Sequence, residues 1–105
     1  MTAPMLDVQI EELRASRIRC AELVRDLGQR ELDGRLLRVE IEQALHKGGM
    51  AVTPAEKAAK SDPKYVAFEE ESIRLRYTLA VEEARAEARR FEIQLQLTVL
   101  QRTEV

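Results

Sequence analysis

The stretch Phe91-Glu92-Ile93-Gln94-Leu95-Gln96-Leu97-Thr98-Val99 alternates apolar and polar residues with a period of two, the pattern of a half-buried strand. Leu37-Arg38-Val39-Glu40-Ile41-Glu42 does the same, so alternation alone would pair the two segments in a small α+β domain. The residues that lead into Phe91 decide otherwise. No turn residue separates it from the Glu82–Arg90 run of alanine, glutamate and arginine, and leucine and glutamine are themselves good helix formers. The sequence therefore predicts one helix across this whole region and an all-α chain.

Working back from this stretch, Ile73, Tyr77, Ala80, Ala84, Ala88, Phe91, Leu95 and Val99 recur at intervals of three or four, as one face of a helix requires. Ile73, Ala84 and Leu95 lie eleven residues apart, as do Tyr77, Ala88 and Val99, a repeat that favours straight or slightly right-handed packing. Ile93, Leu97 and Leu100 form a second apolar stripe on the same helix end. A helix apolar on two sides wants two partners, so these three residues are the expected oligomerisation contacts.

This arm begins at Asp62-Pro63, because the residue before a proline avoids the α region while aspartate caps a helix and proline suits its first position. Upstream, Thr53-Pro54-Ala55-Glu56 has the form of a capping box, which predicts a short helix over about 54–60. The first arm carries Leu6, Ile10, Leu13, Cys20, Val24 and Leu27 on one face, then Leu37, Ile41, Ala44 and Leu45, before Gly48-Gly49 stops it. Gly28 and Asp33-Gly34 interrupt that pattern and predict a bend or break near 28–34. The expectation is a single-domain antiparallel hairpin of long helices: an arm over 6–46, a connector over 47–62 containing a short helix, and an arm over 63–102. At about 1.5 Å per residue each arm reaches about 60 Å.

Two thin rods in a chain of 105 residues expose much of their surface, so a homo-oligomer is expected. Charged residues are 34% and apolar ones 45%, too apolar for a disordered chain. With a formal net charge of −2 there is no global basic field, and any binding to nucleic acid must be local. Cys20 is the lone cysteine, and no apolar run has signal-peptide or membrane-span length. A cytoplasmic protein without membrane contact is expected.

Catalytic patterns are missing from the sequence: there is no Gly-rich phosphate loop, no Cys-x-x-Cys and no histidine pair. His46 reads as a last-turn residue that favours a helix C-terminus as a cation, and Cys20 as a packed small hydrophobe. Glu69-Glu70-Glu71 sits near a helix N-terminus, where carboxylates interact favourably with the dipole, and no inward Glu-x-x-His spacing marks a metal site. A non-enzymatic protein with no metal or cofactor is expected.

One local charge excess stands out. Between His46 and Lys64 the chain carries Lys47, Lys57, Lys60 and Lys64 against Glu56 and Asp62, a balance of +2. Arg35 and Arg38 approach the same end, and Tyr65 or Phe68 lies nearby to stack on a base. Such a patch can track a phosphate backbone.

The order Leu37-Arg38-Val39-Glu40-Ile41-Glu42-Gln43-Ala44, a gap, Thr53 through Tyr65, and a long helix ending near Gln101-Arg102 resembles small bacteriophage helical-hairpin proteins of recombination gene sets, and more distantly the UvsY-type recombination mediators. The resemblance covers about residues 36–102. It implies a helical oligomer of the host-cell cytoplasm that binds single-stranded DNA and helps load a recombinase or annealing protein onto strands coated by a single-strand-binding protein. In that family basic residues around the Leu-Arg-x-Glu segment are linked to DNA contact, and Arg35, Arg38 and Lys47 match them. The chain departs from the family pattern by carrying fewer lysines there and acids at Glu40 and Glu42. A function of another class, a helical adaptor for protein partners with no nucleic-acid binding, fits the same apolar stripes.

Overall fold

The computed structural model of the chain describes residues 3–103 and is helical, with α1 over Ala3–Lys47, α2 over Val52–Lys60 and α3 over Pro63–Thr103. No strand occurs among the described residues. Both alternating segments are helical, 37–42 inside α1 and 91–99 inside α3. Helix propensity and continuity with Glu82–Arg90 outweigh the period-two pattern.

The chain divides into two compact units, Met1–Val24 with Thr78–Val105, and Arg25–Tyr77. In each, α1 and α3 run antiparallel, the topology of a helical hairpin. In the first unit Arg19 Nε meets Glu82 at 2.9 Å and Arg89 Nη1 meets Ser16 Oγ at 3.1 Å. In the second, Arg30 Nε donates to Ser72 Oγ at 3.0 Å.

The faces turned inward repeat every seven residues, in steps of three and four. On α1 they carry Leu6, Gln9, Leu13, Ser16, Cys20 and Leu23 in the first unit, all buried or half-buried, and the opposing α3 face carries Leu79, Glu82, Ala86, Arg89, Ile93 and Gln96. This is a heptad seam, and much of it is polar. Ser16 and Ser72 are buried at 0% and 3% exposure, while Phe91, Leu95 and Val99 stand 60%, 52% and 61% exposed. The eleven-residue stripe of α3 therefore lies on solvent. Hydrophobic periodicity picks out that stripe because the seam spends several of its positions on serine, arginine, glutamate and glutamine.

The break expected near 28–34 is not there, since α1 continues unbroken through both glycines. At Gly34 the missing side chain serves packing: a Cβ there would lie 3.0 Å from Phe68 Cε1. The capping box is also absent. α2 starts at Val52 with Ala51 at its N-cap and no side-chain cap, so Thr53 and Pro54 lie inside the first turn, where a missing N–H costs nothing.

Candidate nucleic-acid interface

The connector is fixed at both ends by backbone chemistry. After Lys47, Gly49 takes φ +102, a left-handed conformation that glycine adopts freely. Its N–H donates to the His46 carbonyl at 3.0 Å, and Met50 N–H donates to the Leu45 carbonyl at 3.1 Å. These two bonds make a Schellman motif. His46 completes it, its Nδ1–H donating to the Met50 carbonyl at 2.9 Å. The histidine thus holds the turn closed.

At the far end the Asp62 side chain accepts from Lys64 N–H at 2.9 Å, and the Asp62 carbonyl accepts from Val66 N–H at 2.9 Å. The cap read from Asp62-Pro63 is present as expected. Between the two ends α2 lies on Ala55 and Ala59, buried at 2% and 0%. Small side chains let this helix sit close, and its other faces point to water.

Lys47, Lys57, Lys60 and Lys64 are all exposed, and among the described residues none has a carboxylate within ion-pair distance. They are also the only lysines of the chain, whose other thirteen basic residues are arginines lying outside 47–64. This segregation is readable from the sequence, where it underlies the local charge excess, and the net charge of −2 conceals it. Lysine is a compact, hydrated point charge suited to undirected phosphate contact, whereas arginine's fork suits fixed geometry. Lys47, Lys57 and Lys60 additionally lie in the last turns of α1 and α2, where the helix dipole favours cations. That alone would stabilise them without any ligand.

Arg35 and Arg38 differ from the lysines. Arg35 pairs with Glu31 at 3.1 Å and Arg38 with Glu42 at 3.5 Å, each four residues away on α1. The exposed Arg35–Glu31 pair contributes at most about 1 kcal/mol, so a phosphate can replace its carboxylate at small cost, whereas Arg38 and Glu42 are half-buried and exchange less freely. Both arginines, with Arg30, Arg76 and Tyr65, line a polar cleft of about 300 Å³ in the second unit. An open groove of about 520 Å³ lies beside it in sequence, bounded by His46, Lys47, Val52 and Glu56.

Of the two aromatic candidates, Phe68 is already engaged. Arg30 Cζ stands 4.0 Å from its ring centroid, held by Arg30 Nη2 donating to the Phe68 carbonyl at 2.9 Å. Gly34 closes in on the ring edge. Tyr65, half-buried and lining the cleft, is the aromatic left for stacking.

The expected oligomerisation residues separate. Ile93 is buried at 7% within its own unit, while Leu97 and Leu100 stand 42% and 38% exposed. Among the described residues no group of three His, Cys, Asp or Glu side chains is placed to hold a metal ion, and no helix is long and apolar enough to cross a membrane. Comparison with protein-family models, with curated proteins and with solved structures finds no match to this chain.

Proposed function

We propose that the chain is a non-enzymatic helical accessory protein that binds single-stranded DNA through Lys47, Lys57, Lys60 and Lys64, with Arg35 and Arg38 as further phosphate contacts. A phage or prophage role beside a recombinase or single-strand-binding protein follows from the resemblance described above and forms part of the same proposal. The observation that carries it is the confinement of every lysine to one exposed segment with no carboxylate partner among the described residues. Ammonium groups free of ion pairs release condensed counterions when they meet a phosphate backbone, and that release drives binding.

Fluorescence anisotropy of a labelled oligonucleotide across a salt series tests this. The logarithm of affinity should fall with the logarithm of salt at about −0.7 per phosphate contacted on a single strand. Replacing Lys57, Lys60 and Lys64 together by glutamine should flatten that slope by about 2. Absence of binding at about 50 mM salt, a regime in which phosphate contacts are strongest, would refute the proposal.

A second reading is an adaptor that works through its helix faces and never touches DNA. The exposed Phe91, Leu95 and Val99 on α3 favour it, since monomeric proteins seldom leave such a run open. The same anisotropy experiment separates the two readings.

A further inference from the structure

In the portion of α3 that belongs to the first unit, Ala80, Ala84, Ala88, Phe91 and Leu95 follow one another at steps of four, four, three and four, and all are exposed. They lie on the side of the helix away from Ala86 and Ile93, which are buried at 8% and 7%. The outward face thus carries small residues over its first half and large ones over its second. Its edges are charged, with Glu83 and Glu87 along one side and Arg85 and Glu92 along the other.

We propose that this face is covered by the same face of a second copy of the chain, running antiparallel about a two-fold axis level with Ala86. Size complementarity is the first reason. A register that sets Ala84 opposite Ala88 also sets Ala80 opposite Phe91, so each ring of the pair enters the space left by an alanine. A parallel pair would put Phe91 against Phe91 and alanine against alanine, crowding one end and leaving a void at the other.

Charge is the second reason. A two-fold axis perpendicular to the helices brings like edges together, because an isologous contact repeats the same surface on both sides. Glu83 lies three residues before Ala86 and Arg90 four residues after it on the same edge, so Glu83 of each copy meets Arg90 of the other. Arg90 is held by Glu87 within the single chain, and exchange between surface pairs of this kind costs little. Each edge also sets one like-charge pair beside the axis, Arg85 against its own counterpart on one side and Glu87 against its own on the other. Only the Glu87 edge has a neutralising group at hand, Arg90, which stands between Glu87 of its own chain and Glu83 of the second copy. The span symmetric about Ala86, residues 80–92, gives a contact about 20 Å long, smaller than one that buries the ~800 Å² per partner of a standard interface. The dimer therefore dissociates on dilution.

The test involves no nucleic acid and stands or falls apart from the binding proposal. Sedimentation equilibrium of the full chain should give a dimer at high concentration that falls to monomer on dilution. Ala84→Glu, which adds bulk and charge where the helices come closest, should abolish the dimer while circular dichroism still reports the same helix content. Glu83→Arg and Arg90→Glu should each weaken association about tenfold, and the double variant should restore most of it. With Cys20 replaced by serine, a mixture of Ala84→Cys and Ala88→Cys chains should cross-link as a mixed pair. A monomer at every concentration, a dimer indifferent to Ala84→Glu, a double variant no better than the singles, or self-linking of Ala84→Cys alone would each overturn the antiparallel α3 contact.

Discussion

Phe68 approaches Gly34 so closely that a Cβ on the glycine would stand 3.0 Å from the ring's Cε1, and the ring has little room to retreat because the Arg30 guanidinium covers it at 4.0 Å. This three-residue stack joins α1 to α3 inside the second unit. It explains why a residue poor at forming helices sits in the middle of an unbroken one.

Two glycines of the same helix should consequently respond differently to alanine. Gly28 has nothing within 4 Å of its would-be Cβ, so Gly28→Ala should stabilise by about 1 kcal/mol, the helix-propensity difference. Gly34→Ala gains the same propensity and loses it to overpacking, which costs typically about 1–3 kcal/mol. Urea denaturation of the two variants should show the first above the parent in midpoint and the second at or below it.

Ser16 is fully buried, and its Oγ accepts from Arg19 Nη2 and Arg89 Nη1, both at 3.1 Å. Ser16→Ala removes one acceptor from each of two guanidinium groups, but Arg89 Nη1 keeps the Glu12 carbonyl at 3.2 Å and the half-exposed Arg19 reaches water, so the cost is that of ordinary hydrogen bonds, about 1 kcal/mol. Ser61→Ala, on an exposed residue, should change stability by less than about 0.5 kcal/mol. A Ser16→Ala chain as stable as the parent would mean that the polar seam contributes nothing to the first unit.

Asp62→Ala removes the acceptor of the Lys64 N–H bond at the start of α3. Loss of an N-cap costs about 1 kcal/mol. Amide hydrogen exchange should quicken in the first turn of α3 and leave the middle of that helix unchanged, which separates fraying from global destabilisation.

The Glu87 carboxyl is held below the usual carboxylate range, first by its hydrogen bond from Arg90 and then by the charge of that guanidinium. A depressed folded-state value means that the pair's contribution is complete above the unfolded value and is lost only as pH falls through the lower, folded one. Carboxyl titration by NMR should therefore place the Glu87 midpoint below that of a free glutamate, and Arg90→Ala should raise it.

The chain ends of each helix were legible where a specific residue dictates the backbone. Asp62-Pro63 and Gly48-Gly49 do so, and both boundaries follow them. Thr53 misled because a capping-box pattern states a preference only, and α2 begins ahead of it at Val52, with Ala51 at its N-cap and no side-chain cap. The pairing of α1 with α3 was the least legible part. Ile10 and Val24 share the apolar pattern with Leu13 and Leu27 but stand 37% and 55% exposed, while Arg30, Glu82 and Arg89, which look like surface residues, hold the seam. Periodicity records where apolar side chains are, and a helix with two such faces does not say which one its own chain will cover. At the candidate interface the exposure of the lysines followed from the punctuated connector, whereas the engagement of Phe68 by Arg30 depended on a contact between distant residues that no local pattern encodes.

Because every lysine side chain lies between the last turn of α1 and the first turn of α3, chemistry directed at lysine side chains has one address in this sequence. Acylation of all four would take that segment from a balance of +2 to one of −2 and leave the rest of the surface as it was. A lysine-specific protease would cut nowhere else, releasing α1 and, from Tyr65 onward, α3 as separate peptides whose continued association, or loss of it, reports how tightly each grips the other once the covalent link is gone.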